Sequence, residues 1–118
     1  MVTYSRVASQ AVFRAIAEPT RRRLLDELAK GARSAGALAR GFDSSRPAVA
    51  RHLRVLRQAR LVRARRDGRQ RIYELRPAPL RAVRSWIERY EVFWNERLDQ
   101  LTSYVEGLEK AENDRGEK

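Results

Sequence analysis

Residues 44–57, SSRPAVARHLRVLR, constrain the fold most, because a helix start, an apolar stripe and a row of arginines coincide there. Ser44 or Ser45 can accept a hydrogen bond from an orphan N–H of the first turn. Pro47 falls in that same turn, where its missing N–H does no harm. Val49, Leu53 and Leu56 follow at i, i+4 and i+7 and share one face. Arg46, Ala50 and Arg54, flanked by Pro47 and Arg51, line the other. The pattern predicts a helix with one face packed and the opposite face free to enter a groove. Exposed arginines also decorate ordinary solvated helices, so the flanking segments must decide.

Upstream, Ser34 can cap a short helix through Ala35, Leu38, Ala39 and Phe42, with Gly41 near its end. Two short helices joined by a tight turn, the second with a polar outer face, predict a helix-turn-helix over 34–58. After Arg60 the period changes to that of strands, and two such runs flank Asp67-Gly68. Asp-Gly between strands predicts a hairpin closed by a type I′ turn, here a two-stranded wing over 61–75. Arg65, Arg66, Arg69 and Arg71 crowd its tip. They repel one another unless solvated or set against phosphate.

The chain before this unit predicts two further helices. Val7, Ala8, Val12, Phe13, Ile16 and Ala17 mark the first, over residues 7–17. The second, over 19–30, buries Leu24, Leu25 and Leu28 and stops at Gly31. Arg21, Arg22 and Arg23 fall in its first turn, where cations oppose the helix dipole. Either they face an anion or they form a solvated basic turn.

Beyond Pro77 and Pro79, residues 79–110 read as one helix, leaving a polar tail expected to fray. Ile87, Tyr90, Trp94, Leu98, Leu101, Val105 and Leu108 step by three and four, close to a heptad seam. Roughly 30 helical residues span about 45 Å, more than so small a chain can cover. The seam therefore predicts a homodimer interface, shared with the first helix.

With 118 residues, a single domain is expected. The net charge of +11 is unevenly placed: residues 1–76 hold 19 Lys and Arg against 6 acids, residues 77–118 hold 7 against 9. The basic part attracts polyanions: duplex DNA, RNA or an anionic membrane. No long apolar run or lipidation signal supports the membrane, and no export signal opens the chain, so a cytoplasmic, nucleoid-associated location is expected. With no Cys and one His, neither a thiolate metal site nor a catalytic constellation is legible. No cofactor, no metal and no enzymatic activity are expected.

In this order the segments resemble the ArsR family of winged helix-turn-helix transcriptional repressors, over nearly the whole chain. FRAIAEPTRRRLL at 13–25 is similar to the family's opening, and SRPAVARHLRVL at 45–56 to its recognition helix. RDGR at 66–69 with YEL at 73–75 resembles its wing. WIERYEVFWNERLD at 86–99 looks like the last helix of a metal-independent branch. Metal-sensing members carry a Cys pair where this chain has Ala35-Gly36-Ala37-Leu38-Ala39-Arg40, or His ligands on the last helix, which has none here. His52 is accordingly read as scaffold.

The resemblance implies a mainly α winged helix-turn-helix of about five helices, a two-stranded wing and a long dimerisation helix. Its function would be homodimeric repression at a pseudo-palindromic double-stranded DNA operator. Ser45, Arg46, Pro47, Ala50, Arg51 and Arg54 are the expected reading residues, with Arg46 and Arg51 on guanine, and Arg65, Arg66, Arg69 and Arg71 grip phosphate or minor groove. The alternative is a winged-helix protein binding RNA or DNA without reading sequence. The inducing signal stays open between a small effector, a partner protein and none.

Overall fold

The computed structural model describes residues 2–116, with side chains from Arg6 onward. Met1 and residues 117–118, the extremes of the terminal segments discussed above, lie outside the described residues. The element order is α1 (Val2–Ile16), α2 (Pro19–Ala29), β1 (Arg33–Ser34), α3 (Ala35–Arg40), α4 (Arg46–Gln58), β2 (Val62–Asp67), β3 (Gln70–Leu75), a 3₁₀ turn (Ala78–Leu80) and α5 (Arg81–Gly116). The fold is mainly helical, a winged helix-turn-helix with a long last helix. The chain divides into two compact units, Met1–Val83 and Arg84–Lys118.

In the first unit each helix delivers its apolar stripe to one core. Val12 and Ala15 come from α1, Leu24, Leu25 and Leu28 from α2, Leu38 from α3, and Val49, Leu53 and Leu56 from α4. Tyr73, Val62 and Leu61 close that core from the wing side. The caps explain the boundaries. Ser34 Oγ accepts from the Ala37 N–H at 3.1 Å, and Ser45, rather than Ser44, caps α4 by accepting from the Ala48 N–H at 3.3 Å.

The end of α4 is a Schellman motif. Leu61 N–H donates to Leu56 O at 3.0 Å, and Arg60 N–H donates to Arg57 O at 2.9 Å. Arg60 sits at φ 62°, in the left-handed position that usually takes glycine. The motif holds because Leu56 and Leu61, which it brings together, are both fully buried.

Two features of the sheet depart from expectation. First, it has three strands in the order β1-β3-β2, because Arg33 and Ser34 pair with Tyr73 and Ile72. A two-residue strand has no period to read and exists only through its partner. Second, Asp67 pairs with Gln70, so the turn is Gly68-Arg69 and not Asp67-Gly68. Gly68 has φ 64°, and Asp67 and Arg69 do not take positive φ, the pattern of a type II′ turn instead of type I′. This register sets Val62 opposite Leu75, Ala64 opposite Tyr73 and Arg63 opposite Glu74. A turn centred on Asp67-Gly68 would set Ala64 against Arg71 and separate Arg63 from Glu74, so cross-strand pairing overrides the local turn signal.

In the second unit, α5 continues to Gly116, past the expected end at 110. No proline interrupts residues 111–116, and Arg115 complements the dipole in the last turn. The helix of 36 residues is about 54 Å long, and none of its side chains is buried. No helix among the described residues is long and apolar enough to cross a membrane.

Candidate nucleic-acid interface

On α4 the six expected reading residues, Ser45, Arg46, Pro47, Ala50, Arg51 and Arg54, are all exposed. Val49, Leu53 and Leu56 on the opposite side are at most 1% exposed. The cap at Ser45 and the Schellman end fix where the helix starts and stops. Among the described residues, no acidic side chain pairs with Arg46, Arg51 or Arg54. The outcome is a cationic face anchored by its own buried stripe.

The four wing arginines divide into different environments. Arg66 and Arg71 stand directly opposite each other across β2 and β3. Such like-charged neighbours destabilise a hairpin unless an anion lies between or beside them. Arg71 also leans over the Tyr73 ring at 6.0 Å. Arg69 lies in the turn itself. Arg65, in contrast, points to the other face, 3.5 Å from Glu74 Oε1. Glu74 also binds Arg63 at 3.0 Å, so the base of the wing is partly neutralised while its tip stays cationic.

Arg21, Arg22 and Arg23 also take partners within the chain, although Arg22 and Arg23 stay exposed. Arg21 donates from Nε to Ala15 O at 2.6 Å and from Nη2 to Arg14 O at 2.9 Å. Arg22 Nη1 donates to Ile16 O at 2.8 Å. Two guanidinium groups thus cap the last carbonyls of α1, where the helix dipole favours cations; of these, Arg14 O also accepts from the Ala17 N–H at 3.3 Å. Arg23 stacks on Phe42 at 4.7 Å. The tight connection between α1 and α2 brings these partners together, and sequence spacing gives no hint of it.

Glu18 completes that corner. Its Oε2 accepts from the Arg21 N–H at 2.9 Å, which makes it the N-cap of α2, and it lies 3.7 Å from His52 Nδ1. Partial desolvation pushes the Glu18 carboxyl upward. Hydrogen bonds from Arg21 and Thr20, with the charge of His52, outweigh it and hold the group below its ordinary value. His52 therefore packs on the α2 corner, with Arg21 Nη1 3.4 Å away. Among the described residues no three His, Cys, Asp or Glu side chains gather as metal ligands.

An open cleft of about 690 Å³ separates the C-terminal half of α4 from β2. Arg54, Arg57, Arg60, Arg63 and Arg76 line it. Of these, only Arg54 was singled out from the sequence. Arg57 follows the i, i+4, i+8 row of Arg46, Ala50 and Arg54 three residues further on, a signal that periodicity could have supplied.

On α5 the expected seam residues Tyr90, Trp94, Leu98, Leu101 and Val105 are exposed, Trp94 by 52%, while Ile87 is half-buried. Trp86 meets Tyr90 edge to face at 5.5 Å, and Tyr90 lies 6.5 Å from Phe93. These rings follow one another along the helix, and Tyr90, Phe93 and Trp94 are exposed.

Residues 16–65 match the family described as "Helix-turn-helix domain". The HTH-type transcriptional regulator Rv2034 of Mycobacterium tuberculosis is 40% identical over 102 residues, covering 86% of this chain and 90% of that protein. The crystal structure of the ArsR family transcriptional regulator RHA00566 superposes with a TM-score of 0.67 at 30% identity, over 75% of this chain and 91% of that one. The chain belongs to the ArsR family of winged helix-turn-helix transcriptional regulators. A further structure, the homodimeric winged helix-turn-helix DNA-binding domain of Mb0332 from Mycobacterium bovis, matches at a TM-score of 0.60 and 26% identity, over 72% of this chain and 82% of that one. Rv2034 and RHA00566 are both named as transcriptional regulators.

Proposed function

We propose that this ArsR-family regulator is a homodimeric repressor that reads a pseudo-palindromic operator in the cytoplasm, on the nucleoid. The observation that carries this reading is the two-faced α4: every expected reading residue is exposed while the opposite stripe is buried. Arg46 and Arg51 supply forked donors for guanine edges, and Ala50 offers a methyl-sized contact suited to thymine. Arg66, Arg69 and Arg71 hold the flanking phosphates or the minor groove, with Arg65 in a lesser role because Glu74 shares its charge. The α5 seam of Ile87, Tyr90, Trp94, Leu98, Leu101 and Val105 pairs two copies. The two α4 helices then enter major grooves about 34 Å apart.

Selection of bound sequences from a random duplex pool tests this. A two-fold-related motif preferred at least about 10³-fold over random duplex is expected. Enrichment of no motif, or equal affinity for RNA, would leave only the sequence-independent binding mode.

A further inference from the structure

The cleft between α4 and β2 holds a concentration of positive charge that neither the reading face nor the wing tip accounts for. Among the described residues, Arg63 alone of its five arginines has a carboxylate partner, Glu74. Arg54, Arg57, Arg60 and Arg76 are exposed and form no ion pair or side-chain hydrogen bond among the described residues. The other lining residues, Gln58, Val62 and Ala64, bring no negative charge.

Compensation of the α4 dipole does not explain the convergence. The carbonyls of Val55, Leu56 and Arg57 already accept from Ala59, Leu61 and Arg60. One cation in the last turn satisfies what is left, and Arg57 supplies it. Arg60 is the second and independent sign. It occupies a left-handed position, φ 62°, that glycine fills without strain, yet it carries the longest cationic side chain into the cleft.

We propose that this cleft is a phosphate seat formed by Arg54, Arg57, Arg60 and Arg76. Four forked donors without a carboxylate suit a phosphoryl group, which accepts several charge-assisted hydrogen bonds at once. The phosphate comes from the duplex backbone or from a free polyphosphate. The backbone source rests on the function proposed above: Arg54 belongs both to the face of α4 that enters the groove and to the cleft, so the strand bordering that groove passes the cleft's rim. The seat itself does not depend on that reading.

The test uses the full chain with Arg60→Gly and the double substitution Arg57→Ala/Arg76→Ala. Arg60→Gly removes a cation and relieves the positive φ, so weakened binding in a protein at least as stable as the parent is not a folding defect. Two readouts are needed: calorimetric titration with inorganic tripolyphosphate at low salt, and the salt dependence of affinity for a fixed duplex. A backbone seat lowers the log–log salt slope of the double variant by about 1 while its preference for the selected site over random duplex is unchanged. A free-phosphate seat leaves that slope unchanged, and tripolyphosphate binds the parent at least ten-fold more tightly than either variant. Parent-like slopes together with equal tripolyphosphate affinities overturn the seat. Loss of site preference in Arg51→Ala bears on the reading face alone, which keeps the two proposals separable.

Discussion

His52 Nδ1 on α4 lies 3.7 Å from Oε2 of Glu18, the residue that caps α2. One carboxylate therefore starts a core helix and touches the middle of the helix that carries the arginine face. Arg21 joins them, bonded to the last carbonyls of α1, so three helices meet at this corner through charge-assisted contacts.

That corner makes stability depend on acid. The Glu18 carboxyl titrates below its ordinary value of 4.5, so its contribution is full above that pH and is lost as pH falls through the lower, folded value. Glu18→Gln keeps an acceptor for the Arg21 N–H but cannot titrate. The parent's melting temperature should fall more steeply below pH 4.5 than the variant's, followed by circular dichroism from pH 7 to 3. Parallel curves would contradict a folded-state role for this charge.

Arg51 and Arg69 should respond differently to truncation. Arg51→Ala should lower affinity for the selected site far more than for random duplex, by about 1–3 kcal/mol of discrimination. Arg69→Ala should weaken both alike and flatten the salt dependence by about one phosphate contact. Fluorescence anisotropy on both duplexes at several salt concentrations separates them. Equal losses for Arg51→Ala would remove it from base reading.

Trp94 is 52% exposed in the single chain and lies mid-seam on α5. Trp94→Glu places a charge where apolar surface is proposed to be covered by a second copy. Analytical ultracentrifugation should show the parent as a dimer and the variant as a monomer, with helix content retained. A variant that stays dimeric would move the interface elsewhere.

Arg60→Gly should stabilise the fold. Relief of a left-handed non-glycine residue exceeds the entropy glycine adds to the unfolded chain, for a net gain of about 0.5–1 kcal/mol. That corresponds to a rise of a few degrees in melting temperature. Thermal and urea unfolding should agree on the sign. A lower midpoint would show that the Arg60 side chain itself supports the Schellman end.

Sequence alone determined what is written locally. The period of Val49, Leu53 and Leu56, a serine cap at 44 or 45 with Pro47, and glycine in a turn between two β-patterned runs placed α4 and the wing. The heptad steps of α5 likewise needed no tertiary knowledge. Each signal lies within a few residues of what it specifies, and backbone geometry converts spacing directly into a face.

Tertiary structure decided what depends on neighbours distant in sequence. Arg21 and Arg22 became caps because the chain reverses at residues 17–18 and sets them against the α1 carbonyls. The strand at Arg33–Ser34 exists only because β3 passes beside it. The turn settled at Gly68-Arg69 because Tyr73, Leu75 and Glu74 found better partners in that register. The arginine cleft joins the end of one helix to β2 and to Arg76 just past β3, across as many as 22 residues of chain from Arg54 to Arg76. Through-space charge and packing set these partnerships, and local spacing carries no record of them.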